Sequence, residues 1–171
     1  MIKTLVYLCL FLSVSCFASI NDYVVKKWST SDGLASQSLT SIVQDRQGYI
    51  WVGTQFGLSR FDGMNFTNYS TANAEFLQSN AINKLQLDQD GMLWIGSKSG
   101  LVRLDPRSFD YATFNVNGAV HDILADKEGR IWIAANGLYL FFNEKFIPIN
   151  QLLANSEAPV WPSDDGSRTQ Q

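Results

Sequence analysis

The sequence predicts an all-β chain made of repeated four-stranded antiparallel sheets, and three observations predict it. The stretch over 45–54, Asp-Arg-Gln-Gly-Tyr-Ile-Trp-Val-Gly-Thr, returns over 88–97 as Asp-Gln-Asp-Gly-Met-Leu-Trp-Ile-Gly-Ser and over 126–135 as Asp-Lys-Glu-Gly-Arg-Ile-Trp-Ile-Ala-Ala. Trp51 and Trp94 are 43 residues apart, and Trp94 and Trp132 are 38 apart, a period that suits one small sheet per repeat. Each copy also holds four short apolar or aromatic runs separated by Gly or Asp turns. A single sheet of this size cannot bury both faces, so the copies must stack on one another. The expected architecture is a β-propeller, with about three blades of a larger ring present.

Each element follows from local pattern. The first strand of a copy is an apolar run containing Leu39, Ile42 and Val43, then Ile82, Leu85 and Leu87, then Val120, Ile123 and Leu124, expected to be half-buried. Asp45, Asp88 and Asp126 open tight turns, because an Asp carboxylate can bond backbone groups two residues on. Gly48, Gly91 and Gly129 supply the positive φ such turns require. The second strand surrounds the Trp, and the third covers 58–61, 101–104 and 138–141. The fourth covers 65–69, 110–114 and 145–149, reached in the first copy through the hairpin signal Asp62-Gly63. Gly53, Gly96 and Ala134, two residues after each Trp, are small enough to let adjacent sheets approach closely, with Trp51, Trp94 and Trp132 packed between blades as core.

The flanks are different. Residues 1–18 hold one basic residue, Lys3, and an apolar run from Leu5 to Phe17 that is short for a membrane span. They fit a secretory signal peptide cut after Ala18, with a lipoprotein anchor on Cys16 as the competing expectation. Cys9 and Cys16 are the only cysteines, so the exported chain would hold no disulfide, thiol nucleophile or thiolate metal site. Residues 19–37 form a lead-in, with a lone strand expected over 23–28; blades follow over 38–79, 80–117 and 118–150. Residues 151–171 are a connector and the broken start of a fourth copy: Asp164-Asp165-Gly166 resembles a turn, but 167–171 lack the Trp strand. The chain is therefore expected to be a truncated or frameshifted product, its end blades exposing apolar surface, and a self-complementary oligomer is the other way to complete a ring.

The string over 33–45, Gly-Leu-Ala-Ser-Gln-Ser-Leu-Thr-Ser-Ile-Val-Gln-Asp, continues over 48–63 as Gly-Tyr-Ile-Trp-Val-Gly-Thr-Gln-Phe-Gly-Leu-Ser-Arg-Phe-Asp-Gly. It resembles the two-component regulator propeller repeat, and the resemblance runs in three copies over about residues 23 to 150. The third copy departs from the pattern: Ala134-Ala135 replaces Gly-Thr, and one residue is missing before Gly137. The resemblance implies the periplasmic sensor head of a bacterial membrane signalling protein. Such a head recognises a carbohydrate or other small molecule and signals through a membrane helix to a histidine kinase or a diguanylate cyclase. It implies an inert chain whose signalling activity belongs to a longer parent.

Composition narrows the alternatives. The chain carries 13 basic and 16 acidic residues, and loss of Lys3 with the leader leaves a net charge of about −4. No basic cluster points to nucleic acid or to anionic lipid, so a membrane is met only through the parent. His121 is the only histidine, and its neighbour Asp122 would point to the opposite face of a strand, so it is expected to be structural or solvent-facing. No nucleophile elbow, phosphate loop or zinc spacing is present, so catalytic residues, cofactors and metals are all expected to be none. The acceptor patterns at Asn65 and Asn68 are coincidental in a strand of a bacterial protein. The loop residues Gln55, Phe56, Lys98 and Ser99 mark the end of the propeller where a ligand is to be sought, although no contact residue is assigned. A periplasmic protein-binding scaffold is the alternative reading, ahead of a propeller enzyme such as a lyase.

Overall fold

In the computed structural model, which describes residues 25–142 and 144–154, twelve strands form three four-stranded antiparallel sheets. The first blade is β1 (Leu39–Gln44), β2 (Ile50–Thr54), β3 (Gly57–Phe61) and β4 (Phe66–Tyr69). The second is β5 (Ile82–Leu87), β6 (Leu93–Ser97), β7 (Gly100–Leu104) and β8 (Tyr111–Phe114). The third is β9 (Asp122–Ala125), β10 (Ile131–Ala135), β11 (Gly137–Phe142) and β12 (Lys145–Pro148). Strands pair in chain order within each blade, as alternating strand and tight turn dictate. The protein is a nearly all-β propeller of about three blades.

Stability resides in the seams between blades. Strand β5 packs against β1 and β2, and β9 packs against β5 and β6. One core, including Trp51, Leu58, Ile82, Leu85 and Leu93, fills the first seam, with Phe76 and Leu77 from the connecting segment. The other, including Trp94, Leu101, Val120, Ile123 and Ile133, fills the second. Full burial of an Ile or Leu contributes about 1.5–3 kcal/mol, and neither face of an isolated sheet could supply it.

The seams close where side chains are missing. A Cβ on Gly53 would lie 2.8 Å from Ile82 Cγ2, and one on Gly96 would lie 2.5 Å from Val120 Cγ1. Both separations are below van der Waals contact, so glycine sets the blade spacing.

Several expectations need correction. Leu39 of the first copy is 54% exposed, whereas the equivalent Ile82 and Val120 are fully buried, and Ile42 is 67% exposed, whereas the equivalent Leu85 and Ile123 are buried. The apolar run of an inner strand is buried by the preceding blade, and β1 has none before it among the described residues. Leu124 is also exposed, and Val120 precedes β9 rather than lying in it. Trp132 is only half-buried, because the face it serves meets no following blade among the described residues. Residues 25–28 form no strand: Val25 is exposed, and the Trp28 ring instead packs edge-on to Phe61 and Phe66 at 4.7 and 5.8 Å. A strand needs a partner edge, and here the aromatic pair of blade one captures the segment instead. A short helix, α1 (Ile149–Ala154), replaces part of the polar connector. The leader, Tyr23, Val24 and the broken fourth copy lie outside the described residues.

Gly96→Ala should lower unfolding free energy by about 1–3 kcal/mol through overpacking, measured by urea denaturation. Val120→Ala should then cost less in the G96A background than in the parent chain, because it removes the methyl that the new Cβ strikes. Additive losses would show that the two sites do not touch.

Candidate ligand site at the channel mouth

Three carboxylates organise the turns at one end of the blades. Asp45 Oδ1 accepts the backbone N–H groups of Gln47 and Tyr49 at 2.9 and 3.0 Å, while Oδ2 accepts the Trp51 indole N–H at 2.7 Å. Asp88 repeats this with Asp90, Met92 and Trp94, and Asp126 with Glu128, Arg130 and Trp132. Gly48, Gly91 and Gly129 take φ of 91°, 84° and 79° to close the turns. Each Asp therefore ties the turn to the indole of its own blade, a bond that repeat matching alone did not reveal. Burial raises the Asp126 carboxyl, but the bonds from Trp132 and Arg130 outweigh that and hold it below the usual carboxylate range.

Side chains also reach across the seams in a repeating pattern. Five residues before the turn Asp, Thr40 donates to the Ile82 carbonyl and Asn83 to the Val120 carbonyl, both at 2.8 Å. One residue later, the Leu85 N–H donates to Ser41 Oγ at 3.0 Å, and Lys84 Nζ lies 2.8 Å from Asp122 Oδ1. The bond from Lys84 lowers the Asp122 carboxyl. Just after the turn Asp, Arg46 donates to the Gln89 carbonyl, and Gln89 in turn to the Lys127 carbonyl at 2.9 Å.

Chain direction places the starts of β1, β5 and β9 at the end opposite those turns. The β2–β3, β6–β7 and β10–β11 loops and the connectors between blades lie there too. At this mouth a cavity of about 520 Å³ is lined by Thr40, Asn83, Lys98, Ala119 and His121. Of the loop residues singled out in sequence, Lys98 lines the cavity. Phe56 is 69% exposed at the same end, and Gln55 donates its N–H to the Ser38 carbonyl at 3.3 Å. Ser99 closes its own turn, donating its N–H to Ser97 Oγ at 3.2 Å. Sequence reasoning missed Thr40, Asn83 and Ala119. Thr40 and Asn83 share the register of His121, five residues before the turn Asp, and that spacing could have found them. His121 is exposed and immediately precedes β9, its backbone N–H held by the Ala134 carbonyl at 2.8 Å.

The lining offers a cation, an imidazole, an amide and a hydroxyl, a hydrogen-bonding surface with no carboxylate set against the imidazole. Among the described residues no group of three or more His, Cys, Asp or Glu could hold a metal ion.

Residues 33–56, 77–99 and 115–137 match the family model described as "Two component regulator propeller". The chain is built of two-component regulator propeller repeats. Each matched segment runs from a connector along the first strand of its blade, through the Asp turn, to the loop after the Trp strand. Over 59 residues the chain is 42% identical to Histidine kinase P4 of Formosa agariphila, covering 34% of this chain and 4% of that protein. It superposes with a TM-score of 0.65 and 27% identity on a crystal structure described as the extracellular domain of a hybrid two component system, BT3049, from B. thetaiotaomicron. That likeness covers 74% of this chain and 19% of the other. A second extracellular domain from the same organism, BT4673, shares the fold at a TM-score of 0.62 and 21% identity, covering 72% of this chain and 18% of its own length. The repeat chain thus spans a small part of each relative. Among the described residues no helix is long and apolar enough to cross a membrane.

Asp45→Ala should destabilise the chain by about 2–4 kcal/mol, since it leaves the buried Trp51 indole N–H and two turn N–H groups without their acceptor. Asp45→Asn should recover little, because the amide can turn a second donor toward the indole; thermal and urea unfolding check both. The lowered carboxyls of Asp122 and Asp126 stabilise the fold above their unfolded value of about 3.9, and that contribution is lost as pH falls through their folded values. The stability of Asp126→Asn should therefore vary less with pH between ~5 and ~3 than that of the parent chain, measured by urea unfolding across that window.

Proposed function

We propose that this chain is the extracytoplasmic sensing part of a bacterial membrane signal-transduction protein and is itself without catalytic activity. The observation that carries the reading is the likeness of three propeller repeats, over 74% of the chain, to the extracellular domain of a hybrid two-component system. The match to a histidine kinase favours a kinase output over a diguanylate cyclase. The leader-like residues 1–18 support export to the periplasm.

In this reading the mouth of the channel takes a small hydrogen-bonding ligand, a carbohydrate or a molecule of similar polarity. Lys98 and His121 would fix its orientation, and Thr40 and Asn83 would present oxygen acceptors along the axis. The chemistry suits recognition rather than turnover: neither Lys98 nor His121 has a carboxylate or nucleophile hydrogen-bonded to it among the described residues. The sequence carries no basic cluster that would favour nucleic acid as a partner.

Sequencing the transcript past codon 171 and translating it in all three frames tests the signalling role. Further repeats, a membrane helix and a kinase or cyclase are expected; a stop followed by none of these overturns it. For the ligand, a panel of oligosaccharides screened by thermal shift against the purified chain should yield one that raises the melting temperature. Lys98→Ala should weaken that ligand about tenfold, or about 1.4 kcal/mol, without changing the melting temperature of the free chain.

A further inference from the structure

We infer that the ligand at the mouth is acidic: a hydroxyl-bearing molecule of saccharide type whose carboxylate or sulfate seats on Lys98 and His121. The inference rests on the mouth being the ligand site and adds the charge of its occupant. The groups involved, Thr40, Asn83, Lys98 and His121, come from three successive repeats and line one cavity. Their hydrogen-bonding roles are divided. Thr40 gives its hydroxyl hydrogen to the Ile82 carbonyl and Asn83 gives an amide N–H to the Val120 carbonyl, both at 2.8 Å, so the Thr40 oxygen and Asn83 Oδ1 remain as acceptors. Lys98 has the opposite character, three N–H donors and no acceptor. Hydroxyls along the axis thus meet acceptors, and an anion at the rim meets a cation.

The charge around the cavity is one-sided. Among the described residues, Glu75 is the only carboxylate in the hairpin loops and inter-blade connectors at this end, and it lies outside the cavity lining. Asp122, one residue beyond His121, is already paired with Lys84 at 2.8 Å. At the opposite end the balance reverses, and Asp and Glu outnumber Lys and Arg in the turns that close the hairpins. An anion approaching along the axis is therefore drawn to the mouth and repelled from the far end. The two donors also stand on fixed backbone. Lys98 gives its backbone N–H to the Ala81 carbonyl at 3.2 Å, and Ser97 Oγ ties the same loop by donating to the Gly100 carbonyl at 3.1 Å. His121 is held through its backbone N–H by the Ala134 carbonyl at 2.8 Å. A neutral ligand in this seat would strip water from the Lys98 ammonium and return no charge-assisted bond, so an anion is favoured over it.

Calorimetric titration of the purified chain with three probes of one length tests the charge of the occupant: a trigalacturonate, the neutral galactotriose of the same linkage, and that galactotriose carrying sulfate esters. At low ionic strength at least one acidic probe should bind about tenfold more tightly than the neutral one, the gain a charge-assisted hydrogen bond gives. Added salt should erode that preference. The tighter of the two acidic probes identifies the anion. Lys98→Gln should bring the probes close together in affinity, and Lys98→Arg should keep the preference, which separates the charge from the shape of the side chain. Equal or tighter binding of the neutral probe, or a preference that survives Lys98→Gln, would overturn the inference and leave the mouth standing as a ligand site. Binding of none of the three would overturn both.

Discussion

An indole held by a carboxylate is the constraint on which each blade depends. The Asp that closes the first hairpin also fixes the Trp Nε1 at 2.7 Å, so turn and core cannot move independently. A Trp with its one polar atom satisfied can be buried whole, and Trp51 and Trp94 are. Around them the seam is assembled from rings: Tyr69 stacks on Trp51 at 5.8 Å, and Phe114 on Trp94 at the same distance. A guanidinium completes each site. Arg60 lies across the ladder from Trp51, and Arg103 from Trp94, each within 6 Å of its ring. In the third blade that ladder position is Leu140, and Arg130, just before the strand, covers Trp132 instead at 5.7 Å.

Much of this was legible because a repeat makes equivalent positions visible. The turn Asp, the positive-φ glycines and the small residue after each Trp are identities that recur, and each has a local or nearest-neighbour cause. Burial was less legible because it belongs to pairs of blades. Ile42, Leu85 and Ile123 occupy one register, yet among the described residues only the latter two have a blade in front of them. The Asp–Trp bond escaped notice for a related reason: six residues separate the partners along the chain, and the antiparallel hairpin brings them together. The third copy's missing residue also had a partner change that sequence did not connect. In the first two copies a hydroxyl, Thr54 or Ser97, donates to the carbonyl of the Gly three residues on and accepts an N–H inside the two-residue loop. Ala135 has no hydroxyl, and its loop has shrunk to Asn136 alone.

The mouth of the channel follows the opposite rule from the seam. Positions that hold the blades together repeat from copy to copy, whereas the axis-facing register holds Thr40, Asn83 and His121, and the next holds Ser41, Lys84 and Asp122. Those residues need only reach the neighbouring inner strand, and a hydroxyl, an amide or an ion pair each manages it. Freedom of side-chain type at a fixed backbone position is what a recognition surface requires, because shape comes from the scaffold and chemistry from the variable residue. A search for recurring identity passes over such positions for the same reason that they are suited to specificity.

This arrangement also decides what binding at the mouth would do to the rest of the molecule. Blades that touch only their neighbours make stability a sum of seam terms, so a change at one seam is felt first by the blades on either side. Thr40, Asn83 and His121 come from three successive blades and line one cavity. A ligand held by all three would span both seams, and its binding free energy would add to their closure by mass action. The cross-seam bonds of Thr40 and Asn83 lie on the same side chains that face the cavity, so a ligand competing for either would loosen the seam it sits on. Were a ligand to bind there, recognition and blade spacing would be linked through these two side chains.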